Sequence, residues 1–212
     1  MTTFWTPPAQ HFSRHDAVFI IGGGPSIANL TTYERLALRN RQVVAVNNAG
    51  LDVVPGADVL FWADTSRWLA WNGNRLWKHV GPFKVTTQWQ TDNPLLSVYS
   101  VKRVIYRQGI DVSTDPRIVG GCDGGSRAMN LAYHMGARRM VLIGFDMHDD
   151  GPQNYHSDHK AEDVEPGRRA REFIPAHEAM AIRFRAMGVE IYNATPNSAL
   201  TCYPAVRLEN WL

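Results

Sequence analysis

A single α/β domain with a mostly parallel sheet flanked by helices is predicted by three features of the sequence. Four short apolar runs, VFII (18–21), QVVAV (42–46), DVLFWA (58–63) and RMVLIG (139–144), are uninterrupted rather than alternating, which is how strands buried on both faces read. Each runs into Gly, Asn or Asp and then into a segment with helical spacing, the order of a parallel sheet with crossover helices. The chain of 212 residues has the size of one such domain, and no low-complexity linker divides it, so residues 1–212 are read as one domain.

The other elements follow in turn. One helix is expected after Ser26, capped by that serine or by Thr31 or Thr32. A second spans about Ser126–Met135 and stops at Gly136, and a third runs roughly over Ile174–Met187 and stops at Gly188, glycine being the usual residue beyond a helix C-terminus. VEIYNA (189–194) reads as a final strand, closing with TPNSAL. Residues 65–118 hold only weak strand signals, KVTTQW and KRVIYR. The charged stretch from His159 to Glu172 reads as a solvated loop or lid with a helix beginning near its end. Four of the seven tryptophans (Trp62, Trp68, Trp71, Trp77) fall between 61 and 80, where packing is the expected role.

Bulk properties exclude several classes. With 22 basic and 20 acidic residues there is no global positive field, so nucleic acid is not indicated as a partner. No apolar run approaches the roughly 20 residues of a membrane span, and MTTFWTPPAQHFSRHD has no signal-peptide pattern. Cys122 and Cys202 are far apart and form no CxxC pair, as expected for a reduced, cytoplasmic protein without a thiolate zinc site.

Open parallel sheets place ligands beyond the carboxyl ends of their strands. That rule gathers Gly22 to Ser26, Asn47, Asn48, Asp64 and Asp146 around one crevice. In AVFIIGGGPSIANL nothing supplies the lysine and Ser/Thr of a P-loop. The dinucleotide pattern GxGxxG fails too: Gly22 and Gly24 are in phase, but position 27 is Ile, and asparagines rather than an acid follow QVVAV. What remains is a loop in which Gly22, Gly23 and Gly24 let backbone approach a ligand, Pro25 fixes φ, and Ser26 offers a hydroxyl to a phosphate or a cap. A tight turn that binds nothing is the alternative.

The order IIGGGPSI, VAVNNA, FWAD, GGSRAMNLAYHMGARRMVLIGFDM and then a histidine-containing loop resembles the 6-hydroxymethylpterin diphosphokinase MptE-like proteins. It is also similar to the bacterial sialyltransferases of glycosyltransferase family 42. Their GPS loop, strand-end asparagine, GxD segment and late PNS stretch have counterparts in Gly24-Pro25-Ser26-Ile27, Asn47, Gly144-Phe145-Asp146-Met147 and Pro196-Asn197-Ser198-Ala199-Leu200. The resemblance implies a Rossmann-like fold with the GPS loop, Asn47 and the PNS turn (Asn197, Ser198) around a nucleotide. The asparagine that precedes GPS in the sialyltransferases is Gly23 here, and their paired leaving-group tyrosines have no assigned counterpart. Compact relatives of this kind also occur in phage genomes.

Chemistry concentrates in GFDMHDDGPQNYHSDHK (144–160). A histidine there, with an ordinary pKa near 6.5, can deprotonate an acceptor hydroxyl; the resemblance favours His156, then His159, with Asp146 just past the strand. Asp146, Asp149, Asp150 and the histidines are alternatively metal ligands, although their spacing matches no metal motif, and a merely solvated loop is the third reading. Asp64 can bind a ribose, a metal or an acceptor, or cap a helix. GGCDGGS places Ser126 and its neighbouring N–H groups as a second anion contact. The leading expectation is a transferase that moves a glycosyl group from a nucleotide-sugar donor to an acceptor hydroxyl. The alternatives are an ATP-dependent pyrophosphokinase with Mg²⁺ on Asp64 or Asp146, and a nucleotide- or glycan-binding module without catalysis.

Overall fold

The computed structural model describes residues 4–63, 65–87, 94–156 and 165–212. In chain order its strands are β1 (Val18–Ile21), β2 (Gln42–Val46), β3 (Val59–Trp62), β4 (Phe83–Thr86), β5 (Lys102–Arg103), β6 (Ile105–Tyr106), β7 (Ile118–Val119), β8 (Arg139–Ile143) and β9 (Glu190–Asn193). The α-helices are α1 (Thr32–Leu38), α2 (Ala49–Asp52), α3 (Thr65–Asn72), α4 (Pro94–Val98), α5 (Gly124–His134) and α6 (Ile174–Ala186). Seven strands form one sheet in the order β5-β4-β3-β2-β1-β8-β9, and β6 pairs with β7 separately. Every pairing is parallel.

The central runs are uninterrupted because each strand supplies two cores. Val18 and Ile20 of β1, Val44 of β2 and Leu142 of β8 face α5 and α6, packing with Met129, Leu131, Met180 and Phe184. Their neighbours Phe19, Ile21, Val43, Val141 and Ile143 face the other way, onto Ile27, Leu38 and Leu208. Each such side chain contributes roughly 1.5–3 kcal/mol when fully buried. β1 sits between β2 and β8 with matched register (Ile20 opposite both Val44 and Leu142). The chain winds to one side of β1 and then returns to start on the other, so the crossover connections diverge and a crevice opens beyond the carboxyl ends of β1 and β8.

Several boundaries differ from expectation for local reasons. Pro25–Asn29 is a short 3₁₀ turn, and α1 begins only at Thr32, where Thr31 and Glu34 form a reciprocal capping box. Asp123 caps α5, which therefore starts at Gly124, two residues before the expected Ser126. A π-helical turn, Arg169–Phe173, leads into α6. KRVIYR is divided: the buried Val104 donates its N–H to Thr86 O, while Ile105 N–H turns to Arg117 O, sending the chain into a second small sheet. Trp62 and Trp68 are buried and stacked 4.9 Å apart, but Trp71 and Trp77 are exposed. Among the described residues no helix is long and apolar enough to cross a membrane.

Buried side chains of α5 hold the arm carrying β6 and β7: His134 Nε2 lies 2.8 Å from Ile118 O, and Asn130 bonds three backbone groups. Asn130 Oδ1 accepts from Ser113 N–H (2.8 Å) and Gly120 N–H (2.8 Å), and Asn130 Nδ2 donates to Ser113 O (3.1 Å). Replacing it leaves two buried donors without acceptors. Asn130→Leu is expected to lower unfolding free energy by about 2–4 kcal/mol in urea denaturation; an unchanged midpoint would contradict this account of the arm.

Candidate functional site

The ends of β1 and β8 are locked together. Gly22 N–H donates to Ile143 O (2.8 Å), Gly24 N–H to Gly144 O (2.9 Å), Ser26 N–H to Asp146 Oδ1 (3.0 Å) and Ser26 Oγ–H to Asp146 Oδ2 (2.8 Å). A Cβ on Gly24 would stand 1.9 Å from Asp146 Oδ2, and one on Gly22 2.6 Å from Gly144 O. This changes the reading of the glycine loop. Two of its three glycines are demanded by the neighbouring protein loop, and the Ser26 donors expected to face a phosphate face the buried Asp146 carboxylate.

A cavity of about 550 Å³ opens beside this clasp. Gly22, Gly23, Gly24, Pro25 and Asn47 line one part; Cys122 to Gly125 and Arg127 at the start of α5 line another. Gly144 to His148, Asp150, Pro152, Gln153 and Asn154 after β8, with Glu165, Arg168, Arg169 and Phe173 before α6, line a third. Of the residues expected at one site, Gly22, Gly23, Gly24, Pro25, Asn47 and Asp146 are therefore brought together. Asn47 takes a left-handed φ of 53°, and its buried Oδ1 has no hydrogen-bond partner among the described residues.

The remaining expected residues stand elsewhere. Asn48 is buried, its Oδ1 accepting from Trp68 Nε1–H (2.8 Å), so it braces α3 instead of facing the cavity. Ser126 is fully buried in the capping box, its N–H donating to Asp123 Oδ1 (2.9 Å) and its Oγ accepting from Asp123 N–H (3.0 Å); that leaves it no role as an anion contact. Asn197 and Ser198 buttress the β8 loop. Ser198 Oγ–H donates to Phe145 O (2.5 Å), and Asn197 O accepts from His148 Nε2 (2.6 Å). His156 is half-buried with its ring edge-on to Tyr155 and is not part of the cavity wall, whereas His148 is. Asp64 and His159 lie outside the described residues.

Sequence reasoning missed a buried chain behind the cavity wall. Asp123 Oδ2 meets His177 Nε2 (2.9 Å), His177 Nδ1 meets Tyr203 Oη (3.1 Å), and Tyr203 O–H donates to His177 O (3.2 Å). Burial opposes the Asp123 charge, but His177 and the N–H of Ser126 outweigh it and hold this carboxyl below its ordinary range. Burial and the adjacent Asp123 push the Cys122 thiol up to about 12, so it is no nucleophile at neutral pH. The spacing Asp-x-x-Ser at 123–126 is itself a capping signal; His177 is 54 residues away in the chain, and nothing local marks it.

Three guanidiniums reach the cavity, each differently fixed. Arg127 lies 3.7 Å over the Tyr106 ring and donates to Cys122 O (3.3 Å), Arg168 donates to Glu172 (3.0 Å), and Arg169 reaches Gln153 O (3.4 Å). Asp149 accepts from the N–H groups of Arg169 (3.2 Å) and Ala170 (3.1 Å), satisfying the first donors of the helical segment that becomes α6. The β8 loop is thereby tied to α6, and Tyr155 N–H ties it to Gly23 O (3.1 Å). No three His, Cys, Asp or Glu side chains converge among the described residues, and both Asp146 oxygens are engaged by Ser26. Of the two carboxylates expected to hold Mg²⁺, Asp146 is thus engaged within the protein.

Comparisons with known proteins agree on the fold. No protein-family model matches the chain, and no curated protein matches it in sequence. Solved structures do. The sialyltransferase CstII from Campylobacter jejuni, in complex with a substrate analogue, cytidine-5'-monophosphate, superposes with a TM-score of 0.57 at 14% identity, over 92% of this chain and 86% of that one. The monofunctional α-2,3-sialyltransferase Cst-I from the same organism gives 0.57 at 15%, over 94% and 83%. The MAf glycosyltransferase from Magnetospirillum magneticum AMB-1 gives 0.68 at 12%, over 97% of this chain but 36% of that one; this chain spans about a third of its length. The fold is one that glycosyltransferases share. None of these three is a pterin diphosphokinase.

Two outcomes follow. Gly24→Ala is expected to cost about 1–3 kcal/mol of stability in chemical denaturation, because its Cβ must displace Asp146; wild-type stability would show that the clasp is looser than its distances. For Asp123, a folded pKa below the ordinary 3.8 means stability that is fully present above about pH 4 and lost as pH falls through the folded value. His177→Gln removes the partner that most lowers the Asp123 pKa and is expected to move the acid-unfolding limb to higher pH; an unmoved limb would show that the pair contributes nothing.

Proposed function

We propose that the chain is a sialyltransferase-like glycosyltransferase that transfers a glycosyl group from a nucleotide-sugar donor to an acceptor hydroxyl. The observation that carries this reading is the cavity at the β1/β8 switch point, with Asn47 in its wall, whose buried Oδ1 has no partner among the described residues. Ligands of open α/β sheets sit at this position, and a protein of the same fold, CstII, is described with a cytidine nucleotide. Arg127, Arg168 and Arg169 supply cations for phosphate oxygens, and Gly124 and Gly125 open the cavity to the N-terminal N–H groups of α5.

In the reaction the acceptor oxygen attacks the anomeric carbon, the bond from that carbon to the phosphate oxygen breaks, and the nucleotide leaves with both electrons. The acceptor proton passes to a histidine base. His156 and His159 are the bases the family resemblance favours, and His148 joins them because it lines the cavity. Its Nε2 faces the carbonyl of Asn197 and so carries the hydrogen, which leaves Nδ1 of the neutral ring to take a proton.

Binding and chemistry are separable. In a thermal-shift screen of CMP, CDP, UDP, GDP and ATP, with and without Mg²⁺, a cytidine nucleotide is expected to stabilise the chain without metal, by about 2.7 kcal/mol at 100 times its Kd. Silence from every nucleotide would sink the proposal, and a response to ATP with Mg²⁺ alone would replace it with the diphosphokinase. Among His148→Ala, His156→Ala and His159→Ala, the variant lacking the base is expected to lose about 10²–10⁴ in kcat while keeping nucleotide affinity. Full activity in all three would exclude a histidine base from this loop.

A further inference from the structure

The β8 loop holds a polar atom that the fold leaves unanswered. Gln153 Nε2 donates to Asp149 O (3.2 Å) and Gly151 O (3.3 Å). Turning the amide over would set its oxygen against both carbonyls, so these bonds fix which end faces which way. Gln153 Oε1 is then buried and has no hydrogen-bond partner among the described residues, and Gln153 lines the cavity. The backbone on either side is tied down, Gln153 O to Arg169 and the N–H of Tyr155 to Gly23.

We infer that Gln153 is a specificity-determining residue of the donor site, its Oε1 accepting a hydrogen bond from a neutral N–H or O–H group of the bound nucleotide. This rests on the nucleotide reading above and adds to it the group that is read. A deprotonated phosphate carries no hydrogen to offer, so Oε1 addresses the nucleoside and not the phosphates. Asn47, also in the cavity wall, carries a second buried acceptor without a partner among the described residues, so the best ligand carries at least two neutral donors. A cytidine nucleotide has three, the exocyclic amine and the 2′ and 3′ hydroxyls. An acceptor buried unpaired in the free protein gains most when a ligand pairs it, and discriminates against the analogue that lacks the donor.

Calorimetric titration of the full chain with CMP, UMP, 2′-deoxy-CMP and 3′-deoxy-CMP distinguishes the three sources. Gln153→Met keeps the side-chain length without an acceptor, and Gln153→Ala guards against a local disturbance by Met. Both are expected to bind CMP about five- to tenfold more weakly than wild type. The wild-type preference for CMP over one analogue is expected to vanish in both: over UMP if the amine is read, over a deoxy form if a hydroxyl is. Wild-type binding of CMP with unchanged affinity and ratios in both variants would overturn the inference alone. No binding of CMP by wild type would overturn the nucleotide reading with it.

Discussion

The carboxylate of Asp146 on the N–H and hydroxyl of Ser26 is the contact on which the site depends. It joins the loop after β1 to the loop after β8, 120 residues apart in the chain, at the one place where the strand order reverses. Because the two backbones also exchange the bonds of Gly22 and Gly24 with Ile143 and Gly144, they approach too closely for a Cβ at either glycine. An internal anion thus takes the donors that phosphate loops usually offer their ligand. The ligand's anionic charge must be met elsewhere, and the arginines at α5 and before α6 stand where it can be.

Around that fixed seam each wall of the cavity has its own brace. Asp123 caps α5 and is held as a carboxylate by the buried His177, so the wall made by Cys122 to Gly125 is anchored through α6 to Tyr203. The β8 loop is secured at Asn197 and Ser198, at Gly23 and at the start of α6. With the walls braced by the protein itself, Asn47 Oδ1 and Gln153 Oε1 are left as acceptors with no donor among the described residues. An unpaired buried acceptor is costly, and a ligand that supplies the missing hydrogens recovers that cost on binding.

The legible part of this structure is local. VFII, QVVAV and RMVLIG could be read as sheet strands because burial on both faces leaves their central positions apolar, and the ligand rule then gathered Gly22 to Ser26, Asn47, Asn48, Asp64 and Asp146, of which Gly22 to Pro25, Asn47 and Asp146 line the cavity. The two-residue strands β5 and β6 gave no such signal, since one buried valine between them decides which sheet each joins. Roles decided by a distant partner were equally hidden. Ser26 suits a phosphate or a cap, and its partner is a carboxylate 120 residues on. Ser126 looked like a ligand contact until Asp123 claimed it, and Asn48 until Trp68 did. Asp123 was passed over because nothing near it in the chain announces His177.

A crystal structure of the chain with CMP bound tests the central claim most directly. The account predicts nucleotide density in the cavity between the glycine loop and the β8 loop, with nucleoside donors within hydrogen-bond distance of Asn47 Oδ1. Nucleotide bound on another face, with this cavity holding only solvent, would contradict it.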